Sequence, residues 1–214
     1  MGSRASLILE KFSNLMSIFK TDKQISLTIL GLDAAGKTTL VNLLKNSTGQ
    51  TVPTLGFNSE DIVIGQTNIR LWDVGGQTSI MNFWGEYVKS TDGLVFMIDI
   101  ADEARFKKAY DAFSVLTGYM RENIPILFLF NKTDLINSSE IKTKRVAQLK
   151  SLFNCDDVTG MAVEGKHYRS KVIECSVKNE QDNLLTDMSY SMASSNIYSG
   201  FKWVMKVAEG KEYS

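Results

Sequence analysis

The sequence predicts an α/β protein, with an open, mostly parallel six-stranded sheet, one antiparallel strand and helices on both faces. Two observations predict it. Short apolar runs rich in β-branched and aromatic residues alternate along the chain with longer amphipathic stretches. Two of those runs are separated only by Gly65, Gln66 and Thr67, a spacing that makes a hairpin and so reverses one strand.

In chain order the first element is a helix. Between Leu7 and Lys20, Ile8, Phe12, Leu15 and Phe19 fall on one stripe, with Leu9 and Met16 beside it and Glu10, Ser13, Asn14 and Ser17 opposite. Residues 1–22 therefore read as an amphipathic helical segment, and 23–214 as the main domain. That domain opens with a strand over Ile25–Gly31, followed by a helix over Lys37–Lys45. Strands over Asp61–Ile64 and Asn68–Val74 flank the hairpin loop, and further strands cover Gly93–Asp99, Ile126–Asn131 and Lys171–Cys175. Amphipathic periodicity predicts helices over Glu103–Arg121, Ser139–Phe153 and Gly200–Ala208. Residues Asn179–Ser199 are polar, rich in Ser and Asn, and carry Leu184, Leu185, Met188, Tyr190 and Met192; they read as a solvated surface excursion.

Composition narrows the function. With 214 residues, 43% hydrophobic and 22% charged, the chain has the make-up of one globular unit with a full core. Its 24 basic residues cancel 24 acidic ones, so the electrostatic footprint of bulk nucleic-acid binding is missing. Two cysteines, Cys155 and Cys175, and a lone His167 exclude a disulfide scaffold and a Cys/His zinc site, and point to a reducing, intracellular setting. The longest apolar runs, such as Gly93–Ile98 and Ile124–Phe130, are far shorter than the roughly 18 residues of a membrane span.

Chemistry enters where the first strand ends. Gly31, Leu32, Asp33, Ala34, Ala35, Gly36, Lys37 and Thr38 fit G-x-x-x-x-G-K-[ST] between a strand and a helix. Glycines let successive backbone N–H groups turn inward onto phosphate oxygens, and the following helix aims its positive end at the same place. Lys37 suits the β and γ phosphates, and the Thr38 hydroxyl suits Mg²⁺. Asn131, Lys132, Thr133 and Asp134 form N-K-x-D at the carboxyl end of an apolar strand, where open α/β sheets bind ligands. One carboxylate such as Asp134 can accept from both guanine N1–H and the N2 amine, whereas adenine offers no such pair of donors. Trp72, Asp73, Val74, Gly75, Gly76 and Gln77 end another strand. There Asp73 can hold the water shell of Mg²⁺, Gly76 can present a bare N–H to a γ phosphate, and Gln77 can orient an attacking water.

The stretches GLDAAGKTT (Gly31–Thr39), TVPTLGFN (Thr51–Asn58), WDVGGQ (Trp72–Gln77) and NKTD closely resemble the Arf and Arf-like branch of the Ras-type small GTPases. The similarity runs from the N-terminal helix to Asp134 and again from Lys171 to the last helix, and Asp33 is its sharpest subfamily mark. It implies a P-loop NTPase G domain that binds GTP or GDP with Mg²⁺, using Asp33, Ala34, Ala35, Gly36, Lys37, Thr38 and Thr39 around the phosphates. It also implies that Thr54 is the switch I threonine joining Mg²⁺ beside Thr38 and, through water, Asp73. Gly76 and the catalytic Gln77 would open switch II, and Asn131, Lys132, Asp134, Cys175, Ser176 and Val177 would surround the guanine. Phe57, Trp72 and Tyr87 match the aromatic triad that meets effectors, although composition alone would place all three in the core. Three departures stand out: Val177 replaces an alanine and is expected to crowd the guanine, Met81 stands where an arginine is common, and the 179–199 excursion is longer than the family's direct passage.

Met1 to Ser6 fit M-G-x-x-x-[ST], so Gly2 is a candidate for N-myristoylation; the letters Met-Gly-Ser equally fit a cloning remnant, and the helix that follows favours acylation. The resemblance then implies a monomeric switch that hydrolyses GTP slowly and meets an exchange factor, a GTPase-activating protein and effectors. Its N-terminal helix would grip a membrane surface in the GTP state, giving a cytoplasmic protein that cycles to an intracellular membrane such as Golgi or endosome, in vesicle or membrane trafficking. A GTP-binding scaffold with negligible hydrolysis is the alternative, and a phosphoryl-transfer kinase would need an arginine-rich lid that the scattered Arg105, Arg121, Arg145 and Arg169 do not make.

Overall fold

The computed structural model of the chain describes residues 24–45, 57–77, 81–156, 160–163, 166–187 and 189–210. In chain order these form β1 (Ile25–Leu30), α1 (Lys37–Leu44), β2 (Phe57–Ile64), β3 (Thr67–Val74), α2 (Trp84–Lys89), β4 (Gly93–Asp99), α3 (Phe106–Thr117) and β5 (Ile126–Asn131). There follow α4 (Ser139–Phe153), β6 (Cys155–Asp156), β7 (Gly160–Val163), β8 (Lys166–Tyr168), β9 (Ser170–Glu174), α5 (Val177–Thr186) and α6 (Asn196–Ala208).

Six strands form one sheet in the order β2-β3-β1-β4-β5-β9. Only β2 runs against its neighbour, pairing with β3 from Phe57 opposite Val74 to Ile64 opposite Thr67, while the other pairs are parallel. Alternate residues of the central strands feed opposite faces, because side chains along a strand point up and down in turn. Leu94, Phe96 and Ile98 of β4 join Ile126, Phe128 and Phe130 of β5 under α2, α3 and α4. Val95 and Met97, with Leu127 and Leu129, face α1 and α6 instead. On the first face Phe96, Phe113, Phe128 and Phe153 pack with ring centroids 5.0 to 6.3 Å apart, each ring supplying about 1.5–3 kcal/mol by its burial. Two covered faces of a parallel sheet leave the carboxyl ends of β1, β4, β5 and β9 on one edge, and the loops there make the site.

The predicted architecture and its six strands are present, with local differences. β2 begins at Phe57 rather than Asp61, because the hairpin register continues past the apolar residues. The helix expected over Glu103–Arg121 is a 3-10 turn at Glu103–Arg105 followed by α3. Helix α2 and the small antiparallel sheet β6-β7-β8 escaped the periodicity argument, which has nothing to count in elements of two to six residues. The lone His167 sits exposed on β8.

The polar excursion is corrected most. Residues 177–186 are helical and α6 starts at Asn196 rather than Gly200. Ser176 and Ser195 explain both helices: the Ser176 hydroxyl accepts from Asn179 N and that of Ser195 from Tyr198 N, satisfying donors that a helix start leaves open. Leu184 and Met192 pack against the second core face, so part of this segment is buried although Leu185 is exposed. Both cysteines are buried thiols outside any disulfide. Among the described residues no helix is long and apolar enough to cross a membrane. The segment 1–22, with the candidate acylation residue Gly2 and the helical stripe, lies outside the described residues, and so does Thr54.

Candidate nucleotide site

The phosphate loop leaves β1 at Gly31 and enters α1 at Lys37, and its carbonyl oxygens are tied to donors. Lys37 Nζ donates to Gly31 O at 2.9 Å and Leu32 O at 3.0 Å. Asn131 Nδ2 donates to Ala35 O at 2.8 Å. Holding the carbonyls this way turns the amides of the following residues to the other side, since C=O and N–H of a trans peptide are opposed. Ala34 and Gly36 are left-handed at φ +59° and +106°, and such alternation gathers N–H groups into an anion-binding concavity. At Gly36 the demand is steric as well, because a Cβ would stand 2.5 Å from Asn131 Nδ2. Burial pushes the Lys37 ammonium down to about 8, against the raising pull of Asp73 and Asp33. A cation kept in so dry a place is a counter-charge prepared for an anion.

Thr38, in the first turn of α1, donates its hydroxyl to Asp73 Oδ2 at 2.8 Å, and Asp73, next to last in β3, is almost fully buried. A hydroxyl and a carboxylate converging beside phosphate-binding amides are the hard oxygen donors that Mg²⁺ requires, so these residues fit that ion. Thr39 is half-buried in the same turn. After β3 the chain folds back over the phosphate loop. Gly76 O accepts from Asp33 N at 3.2 Å, and the approach is so close that a Cβ on Gly76 would lie 2.3 Å from that nitrogen. Trp84 Nε1 donates to Gly75 O at 3.0 Å and clamps the turn from the core side. Gln77 follows, half-buried, its carbonyl accepting from Met81 N at 3.1 Å.

The base end is built from the loops after β5 and β9. Asp134 Oδ1 is buried with no hydrogen-bond partner in the structure, an acceptor of the kind the two guanine donors would satisfy. Lys132 is left-handed at φ +67° and pairs with Asp99 Oδ2 at 2.7 Å, which fixes its stem beside the pocket. Asn131 bridges two loops. Its amide holds Ala35 O on one side and, through Oδ1, the Val177 N–H at 3.0 Å on the other, so it joins the phosphate loop to the β9 loop. The Val177 N–H is thus bonded to Asn131, and its side chain is buried in the core. Cys175 N donates to Phe130 O and its carbonyl accepts from Thr133 N, while burial, with Glu180 and Asp134 nearby, pushes its thiol well above the usual range. Ser176 is buried beside it as the cap of α5.

Phe57, Trp72 and Tyr87 come together on the surface away from the phosphates, with centroids 5.5 to 6.0 Å apart. Phe57 is 57% exposed and so leaves the core, while Trp72 and Tyr87 are half-buried and pack against the first core face. Trp72 Nε1 donates to Ser26 Oγ, which leaves the ring face toward its aromatic partners. Sequence reasoning passed over Trp84, Asp99 and Arg105 as parts of the site. Each acts through a contact with a distant loop, for which no local pattern exists.

The sequence profile of the ADP-ribosylation factor family matches residues 11–207. An ADP-ribosylation factor of Encephalitozoon cuniculi (strain GB-M1) is 37% identical over 150 residues, spanning 70% of this chain and 72% of the relative. ADP-ribosylation factor K of Dictyostelium discoideum is 31% identical over 202 residues, spanning 94% of each chain. Among solved structures, the Arl6 BBS3 small GTPase of Trypanosoma brucei with the bound nucleotide analogue GppNp superposes with a TM-score of 0.65 at 20% identity, covering 89% of this chain and all of that one. At that identity the likeness shows the fold alone.

Proposed function

The chain belongs to the ADP-ribosylation factor family, guanine-nucleotide-binding GTP hydrolases, and from that premise we propose that it is a slow GTP-hydrolysing switch recruited to membranes in its GTP state. The observation that carries the nucleotide reading is the pairing of a phosphate loop, whose carbonyls are tied back, with the unpartnered buried oxygen of Asp134 at the same sheet edge. Mg²⁺, held by Thr38 with Thr54 and, through water, Asp73, would neutralise charge on the β and γ phosphates. Lys37 binds the phosphates and Asp134 orients the base. Gln77 positions the attacking water, and turnover is slow until a partner supplies an arginine to stabilise the developing charge, a contribution worth about 10³ to 10⁵ in rate.

The exposed ring cluster of Phe57, Trp72 and Tyr87 supports an effector surface, since three aromatics held together in partial contact with water make an anchor for a partner. Exchange factors and GTPase-activating proteins would act on the segments around Thr54 and Gln77. Acylation at Gly2 and the stripe Ile8, Phe12, Leu15, Phe19 would supply two weak membrane signals, which together give the stable attachment that one acyl chain cannot. On this reading the protein is monomeric, binds no nucleic acid, and cycles between cytoplasm and a membrane of the trafficking system.

Nucleotide competition tests the core of this reading. The parent should bind GTP and GDP and ignore ATP, and Asp134→Asn should move the preference to xanthine nucleotides, which offer an acceptor where guanine offers a donor. Equal affinity of the parent for ATP and GTP refutes it. Gln77→Leu should leave GTP binding intact and abolish activator-stimulated hydrolysis; undiminished hydrolysis would favour another water-positioning group.

A further inference from the structure

The middle carbonyl of the phosphate loop is held by a residue outside every motif of the site. Arg105 Nη1 donates to Asp33 O at 3.2 Å and to Asp33 Oδ1 at 3.3 Å, across 72 positions of sequence. Its Nε donates to Asp102 Oδ2 at 2.6 Å, so the guanidinium fork is fixed on its own turn while the other arm reaches the loop. That turn is itself anchored. Arg145 Nη1 donates to Ile100 O and Ala101 O, Ile100 N donates to Asn131 O, and Ala101 N donates to the Asp99 carboxylate that also pairs with Lys132.

Asp33 O is thus treated as its neighbours are: Lys37 holds Gly31 O and Leu32 O, and Asn131 holds Ala35 O. Turning a peptide oxygen outward turns the next N–H inward, and for Asp33 the next N–H belongs to Ala34, which is left-handed without being glycine. A non-glycine residue in that conformation is strained and persists only when its surroundings hold it. The Asp33 carboxylate poses a second difficulty, being an anion on the rim of an anion site. The Arg105 charge lies against it. With the two side chains 29% and 52% exposed, the ion pair alone contributes little, and the weight falls on the carbonyl contact.

We propose that Arg105 is the positioning residue for the centre of the phosphate loop, fixing the Asp33–Ala34 peptide so that the Ala34 N–H faces the nucleotide phosphates and offsetting the Asp33 carboxylate beside them. This rests on the nucleotide-binding reading above. Release of a fluorescent GDP analogue from the full chain with Mg²⁺ tests it, together with the ³¹P resonance of the bound β phosphate. Arg105→Ala should release the nucleotide about tenfold faster, the scale of one lost charge-assisted bond at a partly exposed site, and should shift the resonance. Arg105→Lys, which keeps the charge but not the fork, should recover only part of that loss. In an Asp33→Ala background, where the backbone carbonyl remains, Arg105→Ala should still accelerate release. Release within twofold of the parent, with the resonance unmoved, overturns the assignment while nucleotide binding stands. Faster release with an unmoved resonance and a lowered melting temperature of the nucleotide-free protein makes Arg105 a merely structural strut and overturns it equally. Failure of the parent to bind GDP at all sinks the nucleotide reading and this inference with it.

Discussion

Nucleotide binding should take up protons at alkaline pH, and the amount follows from Lys37. Without ligand its ammonium is nearly buried, donates to Gly31 O and Leu32 O, and has a pKa lowered by burial from 10.5 to about 8. The sign follows from the lowered value: the fold disfavours the charged form, so the cost is fully present below pH 8 and disappears as pH rises from about 8 toward 10.5. The span corresponds to about 3 kcal/mol, at 1.36 kcal/mol for each pKa unit. A nucleotide's phosphates beside the ammonium restore the charged form. At pH 8.5 about three-quarters of a proton should enter per GDP bound, and at pH 7 about a tenth. The nucleotide's phosphates contribute no titration at pH 8.5, since a phosphate's second pKa is near 6, and the Lys37→Arg variant subtracts whatever the weakly acidic guanine N1–H adds. The assay is calorimetric titration of GDP into nucleotide-free protein in Tris and in HEPES, whose ionisation heats differ, with the proton number read from the difference. Lys37→Arg keeps a cation that does not deprotonate, so any binding it retains should be free of the effect. Equal heats in the two buffers at pH 8.5 would refute the reasoning, because they would mean that Lys37 is already charged in the empty site.

Three other outcomes are expected. Thr38→Asn removes a hydroxyl that stands 2.8 Å from Asp73 Oδ2, so Mg²⁺-dependent GTP affinity should fall far more than GDP affinity, as measured by titration with and without chelator. Gly76→Ala puts a Cβ where Asp33 N lies at 2.3 Å, so the turn after β3 must leave the phosphate loop; Trp84 fluorescence, reporting the bond to Gly75 O, should change in the nucleotide-free protein. Acylated protein should float with vesicles when loaded with a GTP analogue and stay free with GDP, and Gly2→Ala should abolish the difference; identical flotation in the two states would count against a nucleotide-linked membrane helix.

Much of this protein was legible in the letters because the relevant physics is local. The G-x-x-x-x-G-K-T loop, the N-K-T-D turn and the apolar strands before them are each set by a few adjacent residues: glycines that permit left-handed backbone, carboxylates at strand ends, and β-branched runs that suit a buried sheet. The six strands and the one reversed pair follow from the same short-range patterns. Other features were decided only when distant segments met. Arg105 reaches Asp33 across 72 positions, Trp84 clamps Gly75 from the core side, and Asn131 joins the phosphate loop to the loop after β9. Phe57 left the core place its composition suggests because β2, β3 and α2 bring it to the surface beside Trp72 and Tyr87, which keep one side against the core. The helix at 177–186 formed in a polar stretch because Ser176 caps it and Leu184 finds the second core face. A side chain's own neighbours in sequence determine its backbone, but its partners across a closed fold depend on how whole layers pack, and that free energy is summed over residues that no local window contains.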